Sequence, residues 1–323
     1  MTSAPDEGPE SRVDPAPSAP SPGPVGPSRG PAASVSTWLP ATLVGAEPLS
    51  PTGRALRLRV PGMLPAVAGQ HVDVRLTAPD GYRATRSYSL SDVRRSVPGR
   101  GPGGGGSGEG GPGEHGSGGV GSGEDPEVEL AVEELADGEV SPYLVRDMEP
   151  GDPVEVRGPI GGWFRWPPTR FAEDSAVGAV MPDPEGAAPV DASPVQLIGG
   201  GSGVAPLVSM LRVRAGLVDG PSFRLLHSVR DPASRWFGDE LDAYAAEGVA
   251  EVTTVLTRAS PAGATRASGR LTRDELLAAA VPADRHPVVY VCGSNGFVAR
   301  VAEWLVGAGH DPTRVRTERF GGL

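Results

Sequence analysis

The stretch Pro194-Val195-Gln196-Leu197-Ile198-Gly199-Gly200-Gly201-Ser202-Gly203-Val204-Ala205-Pro206-Leu207 constrains this chain more than any other. Val195, Leu197 and Ile198 make a short apolar run, as in a parallel strand buried on both faces. The glycines after it allow a tight turn and a close backbone approach. Pro206 suits the first turn of a helix, where its missing N–H costs nothing, and Leu207, Met210 and Leu211 come next at helical spacing. Strand, glycine loop and helix N-terminus in this order aim unpaired N–H groups and a positive dipole end at one point. That is an anion site, most often for a diphosphate. The fingerprint G-x-G-x-x-G/A fits poorly, because it ends on Val204 if started at Gly199 and on Pro206 if started at Gly201. An ordinary tight turn is the alternative.

Beyond this stretch, strand and helix patterns alternate. Strands are expected over 223–228, 252–256, 288–292 and 315–319, and helices over 237–246, 273–280 and 297–306. Such βα units imply a doubly wound parallel sheet with its ligands at the carboxyl ends of the strands. The first half of the chain reads differently. Apolar and polar residues alternate over 42–44, 55–60, 71–76 and 127–133, a further strand runs over 153–156, and Pro79-Asp80-Gly81 makes a hairpin turn. Short half-buried strands at this spacing predict a small antiparallel barrel. The fold class is therefore a two-domain chain, an antiparallel β-barrel followed by an α/β parallel-sheet domain.

Composition sets the limits. Gly 47 and Pro 36 exceed a quarter of the 323 residues, which points to stretches that cannot bury enough surface to order. These are a tail over 1–34, an insertion over 95–126 and a linker over 167–193, leaving domains at 35–166 and 194–323. The net charge of −11 gives no basic footprint for nucleic acid. A single cysteine, Cys292, excludes an internal disulfide and a Cys-ligated iron–sulfur cluster. No apolar run approaches the ~20 residues of a membrane span, and the N-terminus has no secretory pattern, so the expectation is a cytoplasmic protein without a metal site.

Two barrel stretches carry chemistry. On the strand Arg86-Ser87-Tyr88-Ser89-Leu90-Ser91, Arg86 and Tyr88 share one face. Arginine for a phosphate, tyrosine for a flat ring and Ser89 for a ring atom would suit a phosphorylated heterocycle; an exposed strand of mixed polar residues is the bland reading. Asp137-Gly138-Glu139-Val140-Ser141-Pro142 reads as a turn into a short helix with Ser141 at the N-cap and Pro142 at N1. It either holds a second anion or is simply a capped helix.

Together these residues resemble the ferredoxin–NADP reductase superfamily, and specifically its short, stand-alone bacterial flavin reductases, over residues 36–323. Arg86-Ser87-Tyr88-Ser89 resembles the R-x-Y-S/T flavin motif, and Gly138-Glu139-Val140-Ser141 the G-x-x-S loop of the flavin pyrophosphate. Gly199 to Pro206 resembles the nicotinamide-nucleotide loop, Cys292-Gly293 the C-G pair below the nicotinamide, and Glu318-Arg319-Phe320-Gly321 the terminal E-x-F-G.

The resemblance implies FAD as cofactor and NADPH or NADH as reductant. Arg86 would meet the FAD diphosphate, Tyr88 stack on the isoalloxazine, and Ser89 hydrogen-bond near flavin N5. Ser87, Gly138, Val140 and Ser141 would complete the flavin site, with Phe320 covering the ring from the other domain. Ser89, Cys292 and Glu318 would border the hydride path. Gly200, Gly201, Ser202, Gly203, Val204, Pro206 and Gly293 would hold the nucleotide. Ser228-Val229-Arg230-Asp231 offers both signs of charge to the ribose, and Thr257-Arg258 matches the family's position for the 2′-phosphate. Two arginines against one aspartate favour NADPH.

The chain stops at Leu323, so electrons are expected to leave to a separate acceptor protein such as ferredoxin, docked near Arg83, Arg94 and Arg95. A reductase subunit of an oxygenase or molybdenum enzyme, or a flavin- and nucleotide-binding regulatory protein with little turnover, are the alternatives. Ser294-Asn295-Gly296 departs from the Pro-containing turn usual after C-G.

Overall fold

Alternating side chains build the first half. The computed structural model describes residues 1, 35–96, 125–167 and 193–320. Six strands, β1 (Trp38–Ser50), β2 (Gly53–Arg59), β3 (His71–Thr77), β4 (Arg83–Asp92), β5 (Glu127–Glu133) and β6 (Pro153–Ile160), close into a barrel in the order β1-β2-β5-β4-β3-β6. All six pairings are antiparallel. Leu43, Leu56, Leu58, Val72, Val74, Leu90, Val128 and Leu130 turn inward and are almost wholly buried. Closure leaves no unpaired strand edge.

The expected tail, insertion and linker fall largely outside the described residues, as does Gly321. Inside the expected insertion, the Arg95 carbonyl accepts from Glu127 N at 3.0 Å and the Pro126 carbonyl from Val60 N at 2.8 Å, so both ends continue the barrel ladder.

The second half is a five-stranded parallel sheet, β7 (Val195–Gly200), β8 (Phe223–Val229), β9 (Glu251–Leu256), β10 (Val288–Ser294) and β11 (Val315–Phe320), ordered β11-β10-β7-β8-β9. Helices α1 (Ala205–Ala215), α2 (Gly238–Ala246), α3 (Arg273–Ala279) and α4 (Asn295–Gly307) cross between the strands. The strand order reverses between β7 and β10, and the crevice at the carboxyl ends of those two strands is where a doubly wound sheet receives ligands. α3 starts on a reciprocal cap: Glu275 N donates to the Thr272 hydroxyl, and the Glu275 carboxylate accepts from Thr272 N.

The glycine loop is more helical than its composition suggests. Gly201–Val204 is a 3₁₀ turn leading into α1, with Pro206 in the first turn. Residues 205–212 are buried all round, because α1 packs between its own sheet and β4 of the barrel.

One apolar cluster therefore runs through both halves, from Leu56, Leu90 and Leu130 to Leu207, Met210, Leu211 and Tyr290. Residues just after β6 are sewn into the second half. Phe164 meets Tyr290 edge-on at 5.2 Å, Trp166 meets Phe223 at 4.8 Å, and the Tyr290 hydroxyl donates to the Arg165 carbonyl at 2.6 Å. Barrel and sheet belong to one compact unit. No helix among the described residues is long and apolar enough to cross a membrane.

Candidate functional site

Two clefts mark the candidate site, and the first is lined by several of the residues singled out in the sequence. The first, about 270 Å³, opens above the carboxyl ends of the parallel strands and is walled on the far side by the barrel. Gly200, Gly201, Ser202, Ser228, Arg230, Thr257 and Phe320 line it. Gly203, Val204 and Pro206 lie buried beneath. The loop sits close to its neighbours: a Cβ at Gly200 would come within 2.7 Å of the Phe297 ring, and one at Gly203 would run into the Cys292 carbonyl. At Gly201 a Cβ would meet nothing, and it is the φ of +58° that calls for glycine.

Pattern reasoning did not find the barrel's contribution to this cleft. Ser50, Thr52 and Glu133 line it, together with Ser234, Trp236, Ser294 and Phe297. Ser202 Oγ donates to the Glu133 carboxylate at 2.7 Å, and Trp236 Nε1 donates to Ser50 Oγ at 3.0 Å. These partners lie 69 and 186 residues apart, well outside the reach of any local periodicity.

At the rim, Thr257 N donates to the Val229 carbonyl and Arg258 N to the Arg230 carbonyl, both at 2.8 Å. The two exposed arginines are thereby held side by side, and among the described residues neither guanidinium has a carboxylate partner. Asp231 is committed elsewhere: Ser234 N and Oγ both donate to it at 2.9 Å.

Where the halves meet, Ser89 Oγ on β4 donates to Glu318 on β11 at 3.2 Å. Burial pushes the Glu318 carboxyl up to about 7, with the Ser89 bond opposing that rise. Cys292 stands opposite Glu318 in the β10–β11 ladder and opposite Gly199 in the β7–β10 ladder. It is fully buried, and burial together with the Glu318 carboxylate raises its thiol well above the ordinary value. It lies beneath the loop, beside Glu318 and next to Gly293 at φ +155°.

The second cleft, about 610 Å³, lies on the barrel and is largely apolar, with Leu76, Ala84, Tyr143 and Val154 among its walls and Tyr82 and Glu139 at its polar end. Arg86 reaches that end. Its guanidinium donates to Glu139 at 2.5 Å, and the Tyr82 hydroxyl donates to the same carboxylate at 2.7 Å. Tyr88 is half-buried, and burial raises its hydroxyl to about 12 while the Arg86 charge opposes. Ser87 turns away and donates to Asp73 at 2.6 Å.

The G-x-x-S segment departs from the sequence reading. Ser141 does not cap a helix; its hydroxyl accepts from Leu135 N at 3.0 Å and tightens the turn that Gly138 N closes on the Leu135 carbonyl at 2.8 Å. A Cβ on Gly138 would press on Ser141 Oγ at 2.8 Å. Val140 is wholly buried, and the chain then enters a five-residue π-helix, Tyr143–Asp147, too short to focus a dipole on an anion.

Of the three arginines expected to dock a partner, Arg94 forms a two-pronged pair with Asp92 and Arg95 lies 3.7 Å from Glu127. Only Arg83 is without such a pair among the described residues. Sequence reading also missed Arg212 on α1. It is buried and pairs with Glu129 of the barrel at 2.6 Å and Glu240 of α2 at 2.7 Å, and it donates to the Ser91 carbonyl at 3.2 Å. An arginine inside the apolar run of α1 was the available signal.

Comparison with known proteins bears on the fold and on the second half's family. Residues 197–303 match the family model of the oxidoreductase NAD-binding domain. The chain is 27% identical over 260 residues to a flavohemoprotein of Pseudomonas putida, covering 80% of this chain and 52% of that protein. It is 27% identical over 199 residues to the electron transfer component of 2-halobenzoate 1,2-dioxygenase from Burkholderia cepacia, covering 60% and 50%. The chain spans about half the length of the curated relatives it matches. A ferredoxin NADP+ reductase from Neisseria gonorrhoeae, solved with FAD and NADP bound, superposes with a TM-score of 0.60 at 18% identity over 87% of this chain and 98% of that one.

Proposed function

We propose that the chain is a member of the ferredoxin–NADP reductase superfamily, an FAD-dependent oxidoreductase that takes hydride from NAD(P)H, with NADPH preferred, and passes electrons to a separate protein. The observation that carries this reading is the Ser89–Glu318 contact. It joins the flavin motif on the barrel to the ligand end of the parallel sheet, so one site is built from both halves.

The residues suit a dinucleotide flavin by the chemistry of their donors. An exposed arginine pairs with Glu139 at the edge of an apolar cleft, and a half-buried aromatic ring and a hydroxyl follow it along the same strand, outside the lining of that cleft. Arg86 would hold the diphosphate, Tyr88 the ring and Ser89 its reactive edge, with residues 35–166 as the flavin domain and 194–323 as the nucleotide domain. FAD, when bound, supplies the exchange between a hydride donor and one-electron acceptors.

The protein's own part is placement and proton control. The 3₁₀ turn Gly201–Val204 and the start of α1 offer N–H groups to a nucleotide diphosphate. Phe320, half-buried at the end of β11, lines the first cleft and would cover part of the flavin ring. Glu318 holds its proton up to about neutral pH and faces Ser89 Oγ, so a proton can be kept at that hydroxyl or released from it. Arg230 and Arg258 suit a 2′-phosphate, while Asp231, the acid that would favour NADH, is bound to Ser234.

The purified, FAD-loaded chain should oxidise NADPH with ferricyanide at a higher kcat/KM than NADH. Stoichiometric reduction without turnover would defeat the enzyme reading, and a preference for NADH would defeat the arginine assignment alone. The relative that is an electron transfer component of a dioxygenase favours a second reading, in which the acceptor is an oxygenase; reduction of purified candidate acceptors separates the two.

A further inference from the structure

His227 lies at the centre of β8, directly under the glycine loop, and is fully buried. Its Nε2 is 3.0 Å from the Gly201 carbonyl, and its Nδ1 is buried with no hydrogen-bond partner among the described residues. A carbonyl can only accept, so the proton sits on Nε2 and the bare lone pair on Nδ1. Burial, reinforced by the nearby Arg235 charge and opposed by the Gly201 bond, lowers the imidazole to about 4 and keeps it neutral in working conditions.

Among the described residues no carboxylate pairs with it. Gly199 and Thr254 flank it in the sheet, and Arg235 is itself paired with Asp242 at 2.6 Å. The bond to Gly201 thus fixes a neutral histidine in one tautomer.

We propose that His227 is a positioning residue for the nicotinamide nucleotide, holding the Gly201–Ser202 peptide plane so that Ser202 N–H faces the diphosphate. The peptide is planar and trans, so its carbonyl and the next N–H point in opposite directions. Drawing the Gly201 carbonyl down toward β8 turns the Ser202 N–H up into the cleft that both residues line. Gly201 itself adopts a left-handed φ of +58°, a conformation that glycine takes without strain. The inference rests on the reading of this cleft as the nucleotide site.

The test uses the FAD-loaded full chain as wild type, H227L and H227Q, where glutamine keeps a neutral N–H donor at the reach of Nε2. NADP+ binding is measured by calorimetry and NADPH turnover with ferricyanide. For H227L the Kd for NADP+ and the KM for NADPH should rise about ten- to hundredfold, the loss of one hydrogen bond to a charged group, with kcat at saturation within about twofold. H227Q should return both to within about threefold of wild type. If H227L does not fold, H227N replaces it, since its amide is too short to reach the carbonyl. Wild-type affinity in H227L or H227N, a fall in kcat at unchanged KM, or glutamine as impaired as leucine would each overturn the proposal. A wild-type protein that binds neither NADP+ nor NAD+ would instead sink the nucleotide reading beneath it.

Discussion

Replacing Glu318 with glutamine removes a single titration from the junction of the two halves and leaves its shape intact. The carboxyl moves from 4.5 to about 7 on folding, and each pH unit of such a move is worth about 1.4 kcal/mol. The full difference is about 3 kcal/mol, reduced to about 1–3 kcal/mol because the group is only half-buried and partly screened. The folded state holds this proton more firmly than the unfolded chain. The stabilisation is therefore complete below about pH 4.5, declines as pH rises through about 7, and is gone above that. Glutamine does not titrate. The two proteins should be equally stable near pH 4.5, with Glu318→Gln ahead by about 1–3 kcal/mol at pH 8. Urea unfolding of both flavin-free proteins at several pH values, followed by tryptophan fluorescence, reads this difference. Parallel profiles, or a glutamine variant less stable at pH 8, would refute the placement of this carboxyl.

Arg212→Met keeps the side-chain stem but strands Glu129 and Glu240, and should cost about 3–5 kcal/mol in urea unfolding; adding Glu129→Gln and Glu240→Gln should recover part of it, and a loss below about 1 kcal/mol would contradict the burial. Glu139→Gln frees the Arg86 guanidinium from an exposed ion pair, so FAD should bind about two- to fivefold more tightly by flavin fluorescence. Weaker binding would mean that Glu139 orients the arginine instead of competing for it. Cys292 should not react with a thiol-specific disulfide reagent in the native protein at pH 8 and should react fully in urea; rapid native labelling would contradict its burial.

The architecture was legible because periodicity carries it. The apolar runs of β7 and β10 announce a sheet covered on both faces, and the alternation in β2, β3 and β5 announces a half-buried barrel. Residues such as Arg86, Ser89 and Glu318 could be named because they sit in short motifs. Their contacts could not be named, since Ser89 and Glu318 are 229 residues apart and nothing local encodes which hydroxyl meets which carboxylate. The same limit hid Glu133 and Trp236. Ser141 shows a different failure: serine before proline is a good helix start, but the backbone N–H of Leu135 lies nearer and takes its hydroxyl. His227 gave no signal, because a histidine in an apolar strand looks like any tolerated core residue until the carbonyl above it is seen.

Phe164 and Trp166 belong by covalent order to the first half and by packing to the second. A break in the backbone between 168 and 192 would therefore leave two pieces still clasped through Phe223, Tyr290 and the flank of α1. Chain continuity and particle integrity are separable properties here, and the angle between barrel and sheet is set by side-chain contact.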